Sequence, residues 1–590
     1  MTRNDFVNLR IRVRCEERGR DRGQRAVVVG LYARATAVEV ALDRIALSVL
    51  PCQPPTGTEA TALSQAAPVN RSLVLGAATN WAAFAASLGV SFFLTPYLTH
   101  GLGDDRYGVW NVVENILAYF TLFDLGIAAC LVRYVAKFHA TDERAELNRI
   151  VSACLAVFAV AAGGVLVLGA GLVPFVGPAL ERKLGEPGDI PAFMLLMLFN
   201  LALTLPLSVF PTILDGLQRF ATKSVVRLVF LVLRGGGIVF VMETRPGLLP
   251  LAVVFTITNL LEHAAMSVLA FRFLPGLRIG WRLIDRETLH RVKGYSLDAF
   301  LAMLAGRITV QTGAVVVGGF LTFSAAAHYA IAARLVELAK NLLRSATTTL
   351  TPAVSEREAK GDHDGVRRVL LDGTRWVLYL VLPIHLGLLF FGRPFLTRWV
   401  GGPAYAEWCF PATVILSATL TIGVAQSLAA RILYGMGRLR LFARLALVEA
   451  MLNLGLSLAL VGPMGLEGVA IAVAGPNVLF CLFAIGYACW TLEVSAGRYL
   501  LAAWQRPLAA ASVPAVVWWF VTPAEPTWLS LAVGIATGLA PYAVAVAGIE
   551  FRHRIVGGRS RSGKGALSAS VVIPVSMPSP RRVRRVSAHG

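Results

Sequence analysis

Stretches of mostly apolar residues recur along the whole chain, separated by short polar connections. A helix that crosses the hydrocarbon core of a bilayer needs about 20 such residues, because each adds about 1.5 Å of rise. Fourteen stretches approach or exceed this length, at residues 72–98, 107–132, 149–173, 190–213, 224–242, 248–271, 295–320, 325–351, 373–392, 410–434, 440–461, 466–490, 504–521 and 527–550. The pattern predicts an all-α membrane protein with about 14 transmembrane helices.

The charged residues are concentrated in the connections between these stretches, and their number alternates from one connection to the next. Of the residues, 56% are hydrophobic and 15% are charged, yet the net charge is +20. Basic residues cluster in the even-numbered connections, at 133–149, 219–227, 272–293, 357–368, 438–444 and 498–506. The odd-numbered connections hold Arg106, Arg182, Lys183, Arg245, Arg393 and Arg398. We call the two sides the arginine-rich face and the arginine-poor face.

By the positive-inside rule, the arginine-rich face and both termini are cytoplasmic, in agreement with an even number of spans. Membrane topology thereby explains the positive net charge of the chain, and no nucleic-acid partner is predicted. The seven cysteines form no CxxC motif and no cluster with histidine. We therefore expect neither a disulfide framework nor a metal site.

A repeat divides the chain into two parallel halves. Residues 140–150 resemble residues 359–369, and 213–219 resemble 432–438, both at an offset of 219, while 247–259 resemble 465–477 at an offset of 218. An offset of six helices preserves orientation, so the halves are predicted to be related by a pseudo-two-fold axis along the membrane normal. The predicted parts are a first six-helix bundle at 71–274, a cytoplasmic linker at 275–294, a second bundle at 295–491 and two further helices at 492–550.

Both ends of the chain are basic and rich in small or turn-forming residues. Residues 1–70 and 551–590 are predicted to be disordered cytoplasmic tails. A further expectation is that translation starts beyond part of the first tail, which N-terminal sequencing of the mature protein would check.

Several predicted helices carry polar side chains, which must find partners or water in a bilayer. We expect those on the first, second, seventh and eighth helices to enclose a net-cationic cavity that attracts an anionic head group. The substrate-binding candidates are Asn80, Asn111, Arg307, Gln311, Arg334 and Lys340. Glu114, Asp124 and Glu337 are candidates for holding a coupling proton or sodium ion, or for balancing the arginines. A purely structural role, such as an Arg to Glu pair within the eighth helix, is the alternative for each.

A run of motifs near the start of the first bundle is similar to a known family. The residues are Pro96, Gly103, Tyr107, Gly108, Trp110, Asp124, Leu125, Gly126, Arg133, Tyr134 and the LNR at 147–149. They resemble the Wzx-type polysaccharide (oligosaccharide) flippases of the multidrug/oligosaccharidyl-lipid/polysaccharide exporter superfamily, over about residues 70–549.

The resemblance implies a monomer in the bacterial inner membrane. It would move a polyprenyl-diphosphate-linked oligosaccharide to the periplasmic leaflet, for O-antigen, capsule or exopolysaccharide synthesis. The diphosphate would lie against Arg307 and Arg334. Membrane lipids, a polysaccharide polymerase and chain-length proteins are the implied partners, and no cofactor is implied.

Two other functions remain open at this point. Asp104 and Asp105, in the first connection of the arginine-poor face, could serve a membrane glycosyltransferase, O-antigen ligase or polymerase that acts on the same lipid-linked sugars. A solvated turn is the simpler interpretation of this pair, because the connection is too short to hold sugar chemistry. A cation-coupled multidrug exporter of the same superfamily is the other alternative, although it would favour a more acidic cavity. No Walker motif indicates direct coupling to ATP.

Overall fold

The computed structural model describes residues 71–124, 127–185, 189–285, 287–288, 297–347, 354, 357–358, 360–436, 440–521 and 527–565. The predicted N-terminal tail at 1–70 lies outside these residues. The described α-helices are α1 (Arg71–Leu102), α2 (Asp104–Phe120), α3 (Ile127–Ala140), α4 (Arg144–Leu184), α5 (Ile190–Leu207), α6 (Val209–Gly216), α7 (Phe220–Thr244), α8 (Leu248–Phe273), α9 (Leu297–Phe320), α10 (Phe323–Thr347), α11 (His363–Leu396), α12 (Pro403–Gly435), α13 (Arg440–Thr491), α14 (Ala496–Tyr499), α15 (Gln505–Val521) and α16 (Trp528–Gly565).

These helices confirm the prediction of an all-helical membrane protein. Each of the fourteen predicted stretches overlaps a described helix, and ten helical segments of the described residues are long and apolar enough to cross a bilayer. The last helix continues to Gly565, beyond the predicted end of its span at residue 550. Large apolar side chains cover the outside of the bundle, such as Val232, Phe240 and Leu479, each more than half exposed. Such a surface is suited to lipid tails and not to water.

The described helices depart from the predicted spans at several points, for example in the fourth span, which is divided between α5 and α6. The second predicted span is divided into α2, a 3-10 turn (Thr121–Asp124) and α3. The eleventh and twelfth spans are two helical segments of α13 that meet at Gly465, whose φ of 56° and ψ of −136° are not helical. Only glycine adopts this backbone conformation readily, so Gly465 allows the chain to turn back across the membrane without a longer loop.

Helix boundaries repeat along the chain at the offset found in the sequence. Asp104 and Phe323 begin α2 and α10, Arg144 and His363 begin α4 and α11, and Gly216 and Gly435 end α6 and α12. The members of each pair are 219 residues apart. The weak sequence repeat therefore corresponds to a repeat of structure.

Apolar cores are distributed unequally between the two faces. At the arginine-rich face each half has its own core, around Leu131 and Ile213 in the first half and around Leu370 and Leu428 in the second. Toward the arginine-poor face, one core contains residues of both halves, from Val109 and Val113 to Phe323 and Ile331. The halves are thus packed together mainly at the arginine-poor face.

The predicted linker docks onto the first half. The side chain of Asn148 in α4 donates to the carbonyl oxygen of Gly276 at 3.2 Å and accepts from the backbone N–H of Arg278 at 3.1 Å. One turn further, the hydroxyl of Ser152 accepts from the N–H of Gly280 at 3.3 Å. Residues 275–285 therefore belong structurally to the arginine-rich face of the first bundle.

Candidate functional site

Asp104 joins the two halves at the arginine-poor face. This residue begins α2, and its carboxylate accepts a hydrogen bond from the hydroxyl of Tyr405 at the start of α12. The other carboxylate oxygen lies 3.6 Å from Nε2 of His328 in α10. The His328 ring is buried and stacks on Trp408, with 6.3 Å between centroids and 7° between planes. One carboxylate of the first half is thus held by two helices of the second.

The next residue, Asp105, makes a second connection between the halves. Its carboxylate accepts from the backbone N–H of Ser324 at 2.9 Å, and the two residues are 219 positions apart. Ser324 lies in the first turn of α10, where N–H groups have no partner within the helix. At Gly108, one turn further along α2, an added Cβ would overlap the carbonyl oxygen of Phe323. The α2 and α10 backbones therefore meet here at their closest approach.

Lys183 closes another part of the same face. It lies in the last turn of α4, and its ammonium donates to the carbonyl oxygens of Gly318 and Gly319, at 2.7 Å each. These are among the last carbonyls of α9, which lack partners within the helix and carry its negative partial charge. The ammonium also lies over the Phe323 ring, 5.4 Å from its centroid.

The outer part of α1 is attached to the second half by aromatic side chains. The indole N–H of Trp399, in the π-helical turn after α11, donates to the carbonyl oxygen of Phe92 at 2.8 Å. Their rings stack with centroids 5.4 Å apart. Phe92 also contacts Phe395 and Trp528, so the first residue of α16 belongs to this cluster. Together with Asp104, Asp105 and Lys183, it closes the arginine-poor face.

Further from this closed face, Arg334 lies where three helices of the two halves meet. Its guanidinium belongs to α10 and donates to the hydroxyl of Ser91 in α1 at 2.9 Å. It also attracts the carboxylate of Glu114 in α2. Both Arg334 and Glu114 are exposed, although each lies near the middle of its helix. The structure brings together these two predicted residues, one from each half.

On α9, Arg307 and Gln311 lie one turn apart and are partly exposed. Thr309, between them in sequence, faces α13, so Arg307 and Gln311 lie on the opposite side of the helix. The adjacent Thr312 makes a 2.9 Å hydrogen bond with Tyr119 of α2. Gly318 lies on the same side of α9 as Arg307 and Gln311, and a Cβ there would meet the side chain of Val112 in α2. This side of α9 therefore faces the first half, and a second cation lies on a helix that borders the junction.

The remaining predicted site residues do not form a cluster with Arg334 and Glu114 in the described part of the chain. The amide of Asn111 donates to the carbonyl oxygen of Tyr107 in its own helix at 2.7 Å. Glu337 is partly exposed, and Lys340 attracts a carboxylate of α13. The side chains of Asn80 and Asp124 lie outside the described residues.

That carboxylate belongs to Glu449, which the sequence analysis missed. Glu449 is 5% exposed and lies within the second half. One oxygen accepts from the hydroxyl of Thr309 at 2.8 Å, and the other accepts from the amide of Asn477 at 3.3 Å. Asn453, one turn along α13, donates to the carbonyl oxygen of Thr309 at 3.4 Å. This acidic, oxygen-rich group could hold a proton or a small cation.

A second missed group lies in the first half. Arg234 of α7 and Glu262 of α8 form an ion pair of 3.1 Å, and Arg234 also donates to the hydroxyl of Thr258 at 3.1 Å. Its guanidinium lies 4.8 Å from the centroid of the Phe255 ring. The signal was present in the sequence, because both charges lie well inside apolar stretches, too far from their ends to reach the head groups easily.

Comparisons with known proteins agree with this architecture. The chain is similar in fold to the inward closed conformation of lipid II flippase MurJ, with a TM-score of 0.63, 14% identity, and coverage of 82% of this chain and 100% of that one. An inward-facing multidrug resistance MATE family transporter of the MOP superfamily follows, with a TM-score of 0.56, 13% identity, and coverage of 70% and 94%. The uncharacterized membrane protein EpsK of Bacillus subtilis (strain 168) is 24% identical over 368 residues, 59% of this chain and 68% of EpsK.

A family model extends over most of the bundle. The model for lipid II flippase MurJ matches residues 126–533, which is more than half of the chain. The superfamily expected from the motifs is thereby confirmed, but the matching model is that of lipid II flippases and not that of the Wzx-type proteins. With its helices, its repeat and this match, the chain belongs to the lipid II flippase MurJ family, in the multidrug/oligosaccharidyl-lipid/polysaccharide exporter superfamily of membrane transporters.

Proposed function

We propose that this transporter moves a polyprenyl-diphosphate-linked saccharide from the arginine-rich side of the membrane to the arginine-poor side. The observation that carries the proposal is Arg334, an exposed cation where α1, α2 and α10 meet, held by the neutral hydroxyl of Ser91. Membership in a family named for lipid II flipping supports a lipid-linked sugar as the substrate class. An oligosaccharide destined for O-antigen, capsule or exopolysaccharide is the cargo that we favour.

Arg334 and Arg307 would bind the diphosphate. A guanidinium binds phosphate oxygens in pairs, and the attraction is stronger between low-dielectric walls than in water. Glu114 weakens the field of Arg334 when no substrate is present. Displacement of that carboxylate by the stronger diphosphate anion would couple binding to a movement of α2 relative to α10. The glycan would cross between the halves while the polyprenyl tail stays in lipid.

The described conformation would be the one that loads substrate. Contacts of Asp104, Asp105 and Lys183 close the arginine-poor face, while the halves keep separate cores at the arginine-rich face. With the predicted topology, the closed face is periplasmic. Rocking of the two bundles would then break these contacts and release the lipid-linked saccharide on the periplasmic side.

Glu449 is the group that we propose for coupling. A buried carboxylate held by Thr309 and Asn477 binds a proton or a sodium ion with little rearrangement. Because Thr309 belongs to α9, which also carries Arg307, a change of charge at Glu449 would reach the substrate side of the same helix. Lys340 of α10 interacts with the same carboxylate.

The enzyme alternative has lost the feature that suggested it. Asp104 and Asp105 are bound by Tyr405 and by the N–H of Ser324, so neither is presented as a free catalytic carboxylate. The multidrug exporter alternative shares the fold, and Glu449 would serve it equally well. The substrate assay below separates the two transport functions.

The test follows the leaflet in which the lipid-linked saccharide accumulates. Deletion of the gene should retain it in the cytoplasmic leaflet, and Arg334→Ala should do the same at an unchanged protein level. Arg245→Ala is the matched control, because Arg245 is exposed in the α7–α8 connection, away from the junction. An unchanged distribution with lost transfer to the acceptor would favour an enzyme. Drug sensitivity without any change in the saccharide would favour the exporter.

A further inference from the structure

Three helices meet around a buried charge cluster at the arginine-rich face. Arg375 of α11 and Arg506 of α15 both point at Glu550 of α16. Their side chains are only 13%, 21% and 13% exposed, in that order. None of the three takes part in the contacts between the halves or in the group around Glu449 described above. The cluster therefore needs an explanation of its own.

The cluster has more donors than acceptors. The hydroxyl of Tyr379, Nε of Arg375 and Nη1 of Arg506 all point at one oxygen of Glu550, at 3.1, 3.4 and 3.6 Å. Only the Tyr379 contact is a hydrogen bond. Nε of Arg375 and Nη1 of Arg506 are buried and have no hydrogen-bond partner among the described residues. Buried polar groups are nearly always paired, so two unpaired guanidinium N–H groups indicate a missing acceptor.

An anion with several oxygens fits this arrangement. Both guanidinium groups approach the same carboxylate oxygen, so one small ligand could reach both. Arginine presents its N–H groups in a planar fork that matches phosphate oxygens. The carboxylate of Asp372 forms an ion pair with Nη2 of Arg375 at 2.9 Å. Asp372 is half exposed, however, and this contact leaves Nε of Arg375 without a hydrogen-bond partner among the described residues. Among the buried groups, two guanidinium cations share the single carboxylate of Glu550, because the second carboxylate, that of Asp372, is half exposed to solvent. The buried part of the cluster therefore has positive charge left for a ligand.

The depth of the cluster indicates a lipid as the source of the anion. Arg375, Arg506 and Glu550 lie at the ends of the predicted spans that begin at 373 and 504 and end at 550, which is head-group level. Exposed apolar side chains lie deeper in the bilayer on the same helices, among them Leu508 of α15 and Val544 of α16. Basic pockets between transmembrane helices on the cytoplasmic side bind anionic head groups.

We propose that Arg375 and Arg506 bind the phosphate of an anionic phospholipid, which holds α15 and α16 against α11. The lipid phosphate supplies the acceptors that Glu550 alone does not provide. Its acyl chains lie along the exposed apolar surface of the last two helices. The site thereby makes the attachment of these helices depend on the lipid composition of the membrane.

Lipid binding to the purified full-length chain in detergent tests this proposal. Native mass spectrometry would count adducts, and thermal unfolding would follow stability, with phosphatidylglycerol, phosphatidylcholine or inorganic phosphate added at equal phosphate concentration. We expect phosphatidylglycerol alone to bind tightly and to raise the unfolding temperature. Arg506→Gln should weaken its binding about ten-fold, as for the loss of one charge-assisted hydrogen bond. Arg552→Gln is the matched control, since Arg552 is exposed two residues beyond Glu550.

Glu550→Gln distinguishes a lipid site from a tie between helices. Removal of the competing carboxylate should strengthen phosphatidylglycerol binding if the arginines hold a phosphate. If the cluster only ties the helices together, this variant lowers the unfolding temperature and leaves lipid binding unchanged, which overturns the proposal. Equal binding by Arg506→Gln and the unmodified chain overturns it too, as does an equal effect of inorganic phosphate. Should Arg506→Gln fail to fold, Arg506→Lys keeps the charge, loses the fork and should show the same weaker binding.

Discussion

Gly108 is the position at which one added methyl group should open the arginine-poor face. A Cβ on this residue would overlap the carbonyl oxygen of Phe323 and lie 3.0 Å from its Cα. These are backbone atoms, which cannot turn aside as a side chain can. Gly108→Ala must therefore separate α2 from α10, next to the hydrogen bond between Asp105 and Ser324.

The size of the effect follows from that hydrogen bond. A hydrogen bond to a charged group contributes about 1.5 to 3 kcal/mol, and a separation of about 1 Å removes most of it. Since each 1.4 kcal/mol changes an equilibrium about ten-fold, the closed conformation should lose about ten- to 150-fold relative to the open one. Folding should be affected much less, because the two bundles keep their own cores.

Labelling of a cysteine placed at Asn115, one turn beyond Asn111 on α2, measures this shift. A membrane-impermeant maleimide added from the side of the arginine-poor face should label Asn115→Cys slowly. Adding Gly108→Ala should raise the rate at least about ten-fold, as the opening equilibrium predicts. Gly89→Ala is the matched control, because a Cβ there meets no atom within 4 Å. Equal labelling of a folded Gly108→Ala variant would refute the proposed closure.

Three more predictions concern charges. Lys183→Met should raise the same labelling rate by a few-fold, less than Gly108→Ala, because the exposed ammonium is partly solvated. Glu449→Gln should abolish the dependence of transport on a proton or sodium gradient while leaving substrate binding intact, as measured in proteoliposomes. Arg234→Met should lower the free energy of unfolding by about 3 to 5 kcal/mol, because it leaves the carboxylate of Glu262 unpaired. The double variant with Glu262→Leu should recover most of this loss in chemical unfolding.

A control variant or a contradicting result can be stated for each of these three predictions. Arg182→Met removes a neighbouring exposed cation that donates to its own helix, at 3.3 Å from the carbonyl oxygen of Pro178, and should leave labelling unchanged. Glu467→Gln removes an exposed carboxylate from α13 and should leave coupling unchanged. If Arg234→Met and the double variant unfold alike, the ion pair does not stabilise the first half. A gradient dependence that persists in Glu449→Gln would place coupling elsewhere.

The spans and the repeat were predictable because their signals are local. Hydropathy follows from about twenty consecutive residues, and the repeat appears in helix boundaries as well as in short motifs. The break in the second span was harder to predict, because residues 107–132 are uniformly apolar apart from scattered polar side chains. Gly465 in the sequence was equally weak evidence for a turn between two helices, since glycine is common within membrane helices.

The site was predicted only in part, because its polar side chains contact residues that are distant in sequence, and such contacts depend on how the helices pack. Arg334 was identified by its depth, but its contacts with Ser91 and Glu114 depend on how α10 crosses α1 and α2. The sequence indicated that Asp104 lies in a solvated turn. Its role in joining the two halves was visible only in the structure, which places the hydroxyl of Tyr405 next to its carboxylate. A search for every ionisable residue far from a span end would have found Glu449.

The bond between Asp105 and Ser324 also bears on how such a chain arises. In a symmetric pair of identical chains, a residue on the axis meets its own copy, so an aspartate there would face a second aspartate. A fused chain has no such restriction, and each position can change alone. Here one side keeps the carboxylate and the other offers a backbone N–H. A chain with two different halves can therefore hold an asymmetric, breakable bond at a position where two identical chains would bring two aspartates together.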